Sequence, residues 1–103
     1  MTAYVVAHFT ITDDEEYGRY ADAFFPIFSR HGGELLAVDD NRPIVEGSVP
    51  EGRTVILAFA DMDALSSWFN DPEYQKIAEH RRVGTQSHLV TFIDERPAGW
   101  TGR

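Results

Sequence analysis

The sequence predicts an α+β domain in which one antiparallel sheet carries its helices on a single face. Three observations lead there. Short runs of β-branched and aromatic residues are separated by segments whose apolar residues recur at helical spacing. Helical segments are preceded by capping side chains, Thr12, Asp61 and Asp71, that can accept from unpaired backbone N–H groups. The resulting order, β-α-β-(β)-β-α-α-β, is close to the split βαβ unit, for which one sheet covered by helices is the economical packing.

Residues 3–11, AYVVAHFTI, read as a strand with Val5, Ala7, Phe9 and Ile11 on one face. Tyr4, Val6, His8 and Thr10 take the other. Thr12 and Glu15 have capping-box spacing. The helix after them carries Tyr17, Tyr20, Ala21, Phe24, Ile27, Phe28 and His31 inward, with Pro26 expected to kink it between Asp22 and Phe25. His31 suits the end of that helix, where a cation complements the dipole, and Gly32-Gly33 stops it. Glu34–Val38 reads as a second strand, Asp39-Asp40-Asn41 as a turn, and Pro43–Glu46 as a short edge segment. A strong strand follows at Arg53–Ala60. Asp61 opens a helix with Met62, Leu65, Trp68 and Phe69 inward. Asp71-Pro72 restarts the chain in a new direction, because proline suits the first helical position. Gly84 ends that helix, and Ser87–Asp94 forms the last strand. One domain therefore spans residues 1–95, followed by the tail 96–103.

The inward sheet face combines Val5, Ala7, Phe9 and Ile11 with Val55, Leu57 and Phe59. The opposite face, with Tyr4, Val6, His8, Thr54, Ile56 and Ala58, is too apolar to be left in water. A second copy of the same sheet is the simplest cover, so a two-fold homodimer is expected.

Composition limits the function classes. Nine basic against seventeen acidic side chains give a net charge of −8, which argues against nucleic acid or an anionic membrane as partner. The absence of cysteine removes disulfides, thiol nucleophiles and thiolate metal sites. The N-terminal residues lack the pattern of a signal peptide and no stretch reaches membrane-spanning length, so a cytoplasmic location is the default. No glycine-rich phosphate loop, G-x-S-x-G, H-E-x-x-H or dinucleotide fingerprint occurs. Asp13–Glu16 is a solvated helix start, since consecutive carboxylates point apart.

The segments AYVVAHFTITDDEEYGRY, HGGELL and RTVILAFADMDALSSWFNDPEYQ resemble the domain-of-unknown-function 1330 family of small bacterial proteins. The resemblance covers about residues 3–94, and WFNDPEYQ is its most specific part. It implies a ferredoxin-like fold and a dimeric α+β barrel, without an established reaction. In one respect the chain departs from the family. The strand after the double glycine, where the family would carry basic residues, reads ELLAV, which argues against that strand gripping an anion. Related dimeric barrels include antibiotic-biosynthesis-type monooxygenases, muconolactone isomerases and haem-dependent enzymes, which share scaffold rather than chemistry.

Arg81 is the chief candidate for function. It falls on the same helical stripe as Tyr74, Ile77 and Ala78. As a ligand handle its planar fork would hold a carboxylate or enolate. The supply of acidic residues favours the plainer role of an ion pair, or of a stem covering apolar surface. His8 is the second catalytic candidate, with His88 beside it, yet two imidazoles without a third ligand make no metal site. His80 falls off the inward stripe and should be solvated. Tyr20, Phe24, Trp68 and Tyr74, with Arg81, are candidates to line a pocket, although helical spacing equally describes a core.

Three functions fit. The first is small-molecule binding without chemistry or cofactor. The second is a cofactor-independent monooxygenase or isomerase acting on an aromatic or enolisable substrate held by Trp68 and Tyr74. There Arg81 would stabilise an enolate and His8 would move a proton. The third is an interaction module that docks Trp100 of the tail on a partner.

Overall fold

The computed structural model describes the whole chain, Met1–Arg103. Its elements are β1 (Ala3–Ile11), α1 (Asp14–Arg30), β2 (Glu34–Asp39), β3 (Arg53–Phe59), α2 (Met62–Phe69), α3 (Pro72–Gly84) and β4 (Thr85–Asp94). The strands form one antiparallel sheet in the order β2-β3-β1-β4. Strand alternation sets its faces as the residues predict: Val5 lies opposite Leu57 and Phe92, and Ala7 opposite Val55 and Val90.

The core forms between this face and the helices. Val5, Leu57 and Phe59 come from the sheet, and Tyr20, Ile27 and Phe28 from α1. Leu65, Trp68, Tyr74 and Ala78 complete it from α2 and α3. Phe28 meets Phe59 and Trp68 edge-on, with ring centroids 5.4 and 5.9 Å apart, the geometry that aromatic quadrupoles prefer.

Four local expectations change. The cap of α1 is Asp13, whose side chain accepts from Glu16 N, so the box of Thr12 and Glu15 does not form. The Thr12 N–H instead donates to Gly84 O at 2.9 Å. Helix α1 continues through Pro26 to Arg30. Residues 43–46 form no strand; the segment between β2 and β3 is held over the outer sheet face by Thr10, whose hydroxyl donates to Glu51 O at 2.6 Å. Finally, β4 starts at Thr85, directly after α3. Gly84 lies so close to α1 that a Cβ there would sit 2.8 Å from Tyr17 N.

At the other end, α1 is tied to the start of α3 by one carboxylate. Asp71 Oδ1 accepts from Glu73 N at 2.8 Å, and Oδ2 accepts from His31 Nε2 at 2.8 Å and from Arg30 Nη2 at 3.0 Å. His31 thus ends α1 as expected and also binds the next helix. His80 is not simply solvated, because it bonds Glu16 Oε2 at 2.9 Å.

These bonds, that of His31 first, pull the Asp71 carboxyl down from 3.8 to about 2. A depressed carboxyl stabilises the fold above its unfolded pKa and loses that contribution as pH falls through its folded one. Asp71→Asn should therefore unfold a few degrees below wild type at neutral pH. In melting curves at graded pH the gap should close as pH falls from 3.8 towards about 2; a gap that persists at the acid end would contradict this assignment.

Candidate functional site

Between the first turns of α1, α3 and the sheet the core leaves a half-open cavity of about 210 Å³. Ala7 of β1 and Val55 of β3 form part of its floor, while Tyr20, Phe24, Trp68 and Tyr74 line it from the helices. Sixteen of its eighteen lining residues are hydrophobic. The remaining two are Arg53 and Arg81.

The two arginines are held differently. Arg53 makes a two-point pair with Asp40, Nε to Oδ1 at 2.7 Å and Nη2 to Oδ2 at 3.1 Å. That pair holds the Arg53 proton more firmly and lowers the Asp40 carboxyl. Arg81 is 8% exposed and takes part in none of the chain's ion pairs. Its guanidinium carbon lies 5.8 Å from the centre of the Tyr20 ring, a cation–π contact. Of the two plainer roles for Arg81, the ion pair does not form despite the acidic composition, while a stem lying on apolar surface agrees with its burial.

Tyr20 and Tyr74 join α1 to α3 through their hydroxyls, 2.9 Å apart. One O–H serves this bond and the other lacks a protein acceptor. Burial raises the Tyr20 pKa well above its ordinary value, and neighbouring Tyr74 raises it further against the opposing effect of Arg81. Tyr20 therefore stays a neutral hydroxyl. Trp68 adds an indole N–H that is buried without an acceptor.

All five predicted pocket residues, Tyr20, Phe24, Trp68, Tyr74 and Arg81, converge on this cavity. His8 does not join them. It projects from the opposite face of the sheet, where Nε2 lies 2.8 Å from Pro50 O and 2.9 Å from Arg42 Nη2. Its Nδ1 lies 3.2 Å from both Arg53 O and Thr54 Oγ1. Both ring nitrogens are engaged by the protein, so His8 cannot move a proton for a substrate held at Arg81. His88 sits beside it, ring centroids 5.2 Å apart, and donates to Thr10 Oγ1 at 2.8 Å. A bulge in the β1–β4 pairing turns His88 to this face, which plain alternation could not show. No group of three or more metal-ligating residues converges anywhere in the chain.

Arg53 was not among the predicted pocket residues. Its signal was present: extending the inward register Leu57, Val55 by one step reaches Arg53.

The fold and its apolar, arginine-bearing cavity define a ferredoxin-like α+β domain with a hydrophobic hollow under its helices. Residues 2–94 match the family described as "Domain of unknown function (DUF1330)", and the chain belongs to that family. Among solved structures it is similar to a protein of unknown function from Rhodopseudomonas palustris, with 15% identity and a TM-score of 0.79 over 93% of this chain and 83% of that one. It is also similar to SnoaB, a cofactor-independent oxygenase from Streptomyces nogalater, with 18% identity and a TM-score of 0.65 over 95% and 96% of the two chains. A dimeric ferredoxin-like protein of unknown function from Jannaschia sp. CCS1 shares 15% identity at a TM-score of 0.65, over 92% and 100%. At these identities the likenesses show the fold. A segment of 71 residues, 69% of the chain, is 32% identical to the threonine–tRNA ligase of a Sulfurovum strain. That match spans only 11% of the ligase, far less than the whole enzyme.

Removing one of two mutually bonded buried hydroxyls leaves the other unsatisfied. Tyr20→Phe and Tyr74→Phe should each destabilise by about 1–3 kcal/mol. The double variant should cost less than the sum of the two, as a denaturant double-mutant cycle would register. Strict additivity would mean that the two hydroxyls do not share a bond.

Proposed function

We propose that this protein binds a small, largely apolar molecule in the cavity under α1, and that it does so as a homodimer without a cofactor of its own. The observation that carries the reading is the cavity itself. A domain of this size has few apolar residues to spare, yet it leaves about 210 Å³ open instead of closing its core. A cavity of about 150 Å³ accepts benzene, so this one has room for a ring with a side arm or a second fused ring. Binding without chemistry is favoured over oxygenation or isomerisation, because no Asp, Glu, His or Lys lines the cavity to accept a proton.

The homodimer is supported by the outer sheet face, where Leu89 and Ile93 are 48% and 47% exposed beside Val6 and Ile56. Covering them with a second sheet removes apolar surface from water. No helix is long and apolar enough to cross a membrane. A cytoplasmic location agrees with that and with the acidic, cysteine-free composition.

Two measurements test this reading. In thermal-shift and fluorescence titrations the wild type should bind naphthalene. Ala7→Leu, which fills the floor of the cavity, should lose that binding with a melting temperature equal to or above wild type. Retained binding in Ala7→Leu would place the ligand elsewhere. In native mass spectrometry the wild type should appear as a dimer, and Leu89→Asp as a folded monomer. A monomeric wild type across dilutions would remove the sheet-to-sheet dimer.

A further inference from the structure

The charged groups of the cavity are all donors. Arg81 offers guanidinium N–H groups with no carboxylate or hydrogen-bond partner, and the Tyr20–Tyr74 pair has one spare O–H. No acidic or amide side chain lines the walls, in a chain with seventeen acidic residues. A cavity whose only charges are cationic donors is complementary to a group that accepts. Arg81 is 8% exposed as a residue, and its unpaired guanidinium nitrogens keep some access to the open side of the cavity, where a negative group would compensate the charge and a neutral one would not.

The donors are also placed asymmetrically. Arg53 stands opposite Phe9 in the β1–β3 register, and its guanidinium carbon lies 5.6 Å from the Tyr17 ring centre. Arg81 lies against Tyr20, whose ring is 5.8 Å from that of Tyr17. Both charges therefore occupy the end of the cavity near the first turns of α1. The other end is walled by Phe24, Trp68 and Phe69. Arg53 has its carboxylate in Asp40 and Arg81 has none, so Arg81 is the cation free to meet an anion.

We propose that the ligand is a planar aromatic or enolic monoanion, with its carboxylate or enolate oxygens on Arg81 and its ring between Phe24, Trp68 and Phe69. This rests on the cavity being a ligand site, and it adds the charge and the orientation of the guest. Charge-assisted bonds to guanidinium are the strong class. They should appear as a preference of about tenfold or more for the acid over a neutral isostere.

The test compares 2-naphthoate with 2-naphthamide, by fluorescence titration and calorimetry, on wild type and Arg81→Met. The naphthoate should bind wild type at least about tenfold more tightly than the amide. Arg81→Met should remove the preference, weakening the naphthoate by far more than the amide until the two bind alike. The comparison of the two probes on wild type needs no variant, so it decides the question even if Arg81→Met fails to fold. If both probes bind wild type equally and Ala7→Leu abolishes both, the cavity is a ligand site and the anion is overturned. Binding of naphthalene but not of naphthoate would overturn the anion in the same way. If naphthalene, naphthoate and naphthamide all fail to bind, the cavity reading falls together with this one.

Discussion

The close antiparallel pairing of α1 with α3 is the constraint on which the rest of the molecule depends. At one end Gly84 lets α3 approach α1 until only a hydrogen fits beside Tyr17 N, while the Gly84 carbonyl accepts from Thr12 N and Asp13 N. At the other end Asp71 gathers His31, Arg30 and its own helix start. With both ends pinned, the Tyr20–Tyr74 bond spans the middle and the aromatic side chains meet at fixed separations. The helices cannot settle further onto the small residues of the sheet centre, such as Ala7. The cavity is the space that remains.

That space has a charge opposite to the protein as a whole. Net charge sets the long-range field, but the energy of a buried group depends on what lies within a few ångströms. Arg53 and Arg81 face the hollow while every carboxylate lies elsewhere. Asp40 compensates Arg53 from the β2–β3 connection. Arg81 has only the face of Tyr20 and the open side of the cavity. In the proposed role, the one unpaired cation of this hydrophobic hollow would select by charge first and shape second.

The two faces of the sheet have separate work. His8, His88, Thr10 and Arg42 form a hydrogen-bonded cluster on the outer face, which anchors the long connection between β2 and β3. Its histidines look like chemistry in the linear sequence because they are polar residues on apolar strands. In space His8 meets the Pro50 carbonyl, and His88 holds Thr10, whose hydroxyl donates to Glu51 O, so both fasten a segment that has no strand partner of its own. Buried polar groups of this kind are structural when every member is paired, and here both His8 nitrogens are engaged.

What short-range chemistry controls was legible in the residues alone. Strand alternation assigned the inward residues from Val5 to Phe59, capping carboxylates placed the starts of α2 and α3, and the WFNDPEYQ segment pointed to the family. Helical spacing put Tyr20, Phe24, Trp68, Tyr74 and Arg81 on inward stripes. Long-range packing set the rest: that these stripes stop short of closing, that Arg81 forms no ion pair, and that a bulge turns His88 to the outer face beside His8. The cap of α1 also shifted, from Thr12 to Asp13. The physical reason is common to all of them. Periodicity states which way a side chain points, but the gap between two elements and the identity of a partner depend on contacts between distant parts of the chain. Those contacts follow from the way Gly84 and Asp71 set the two helices, which no local window contains.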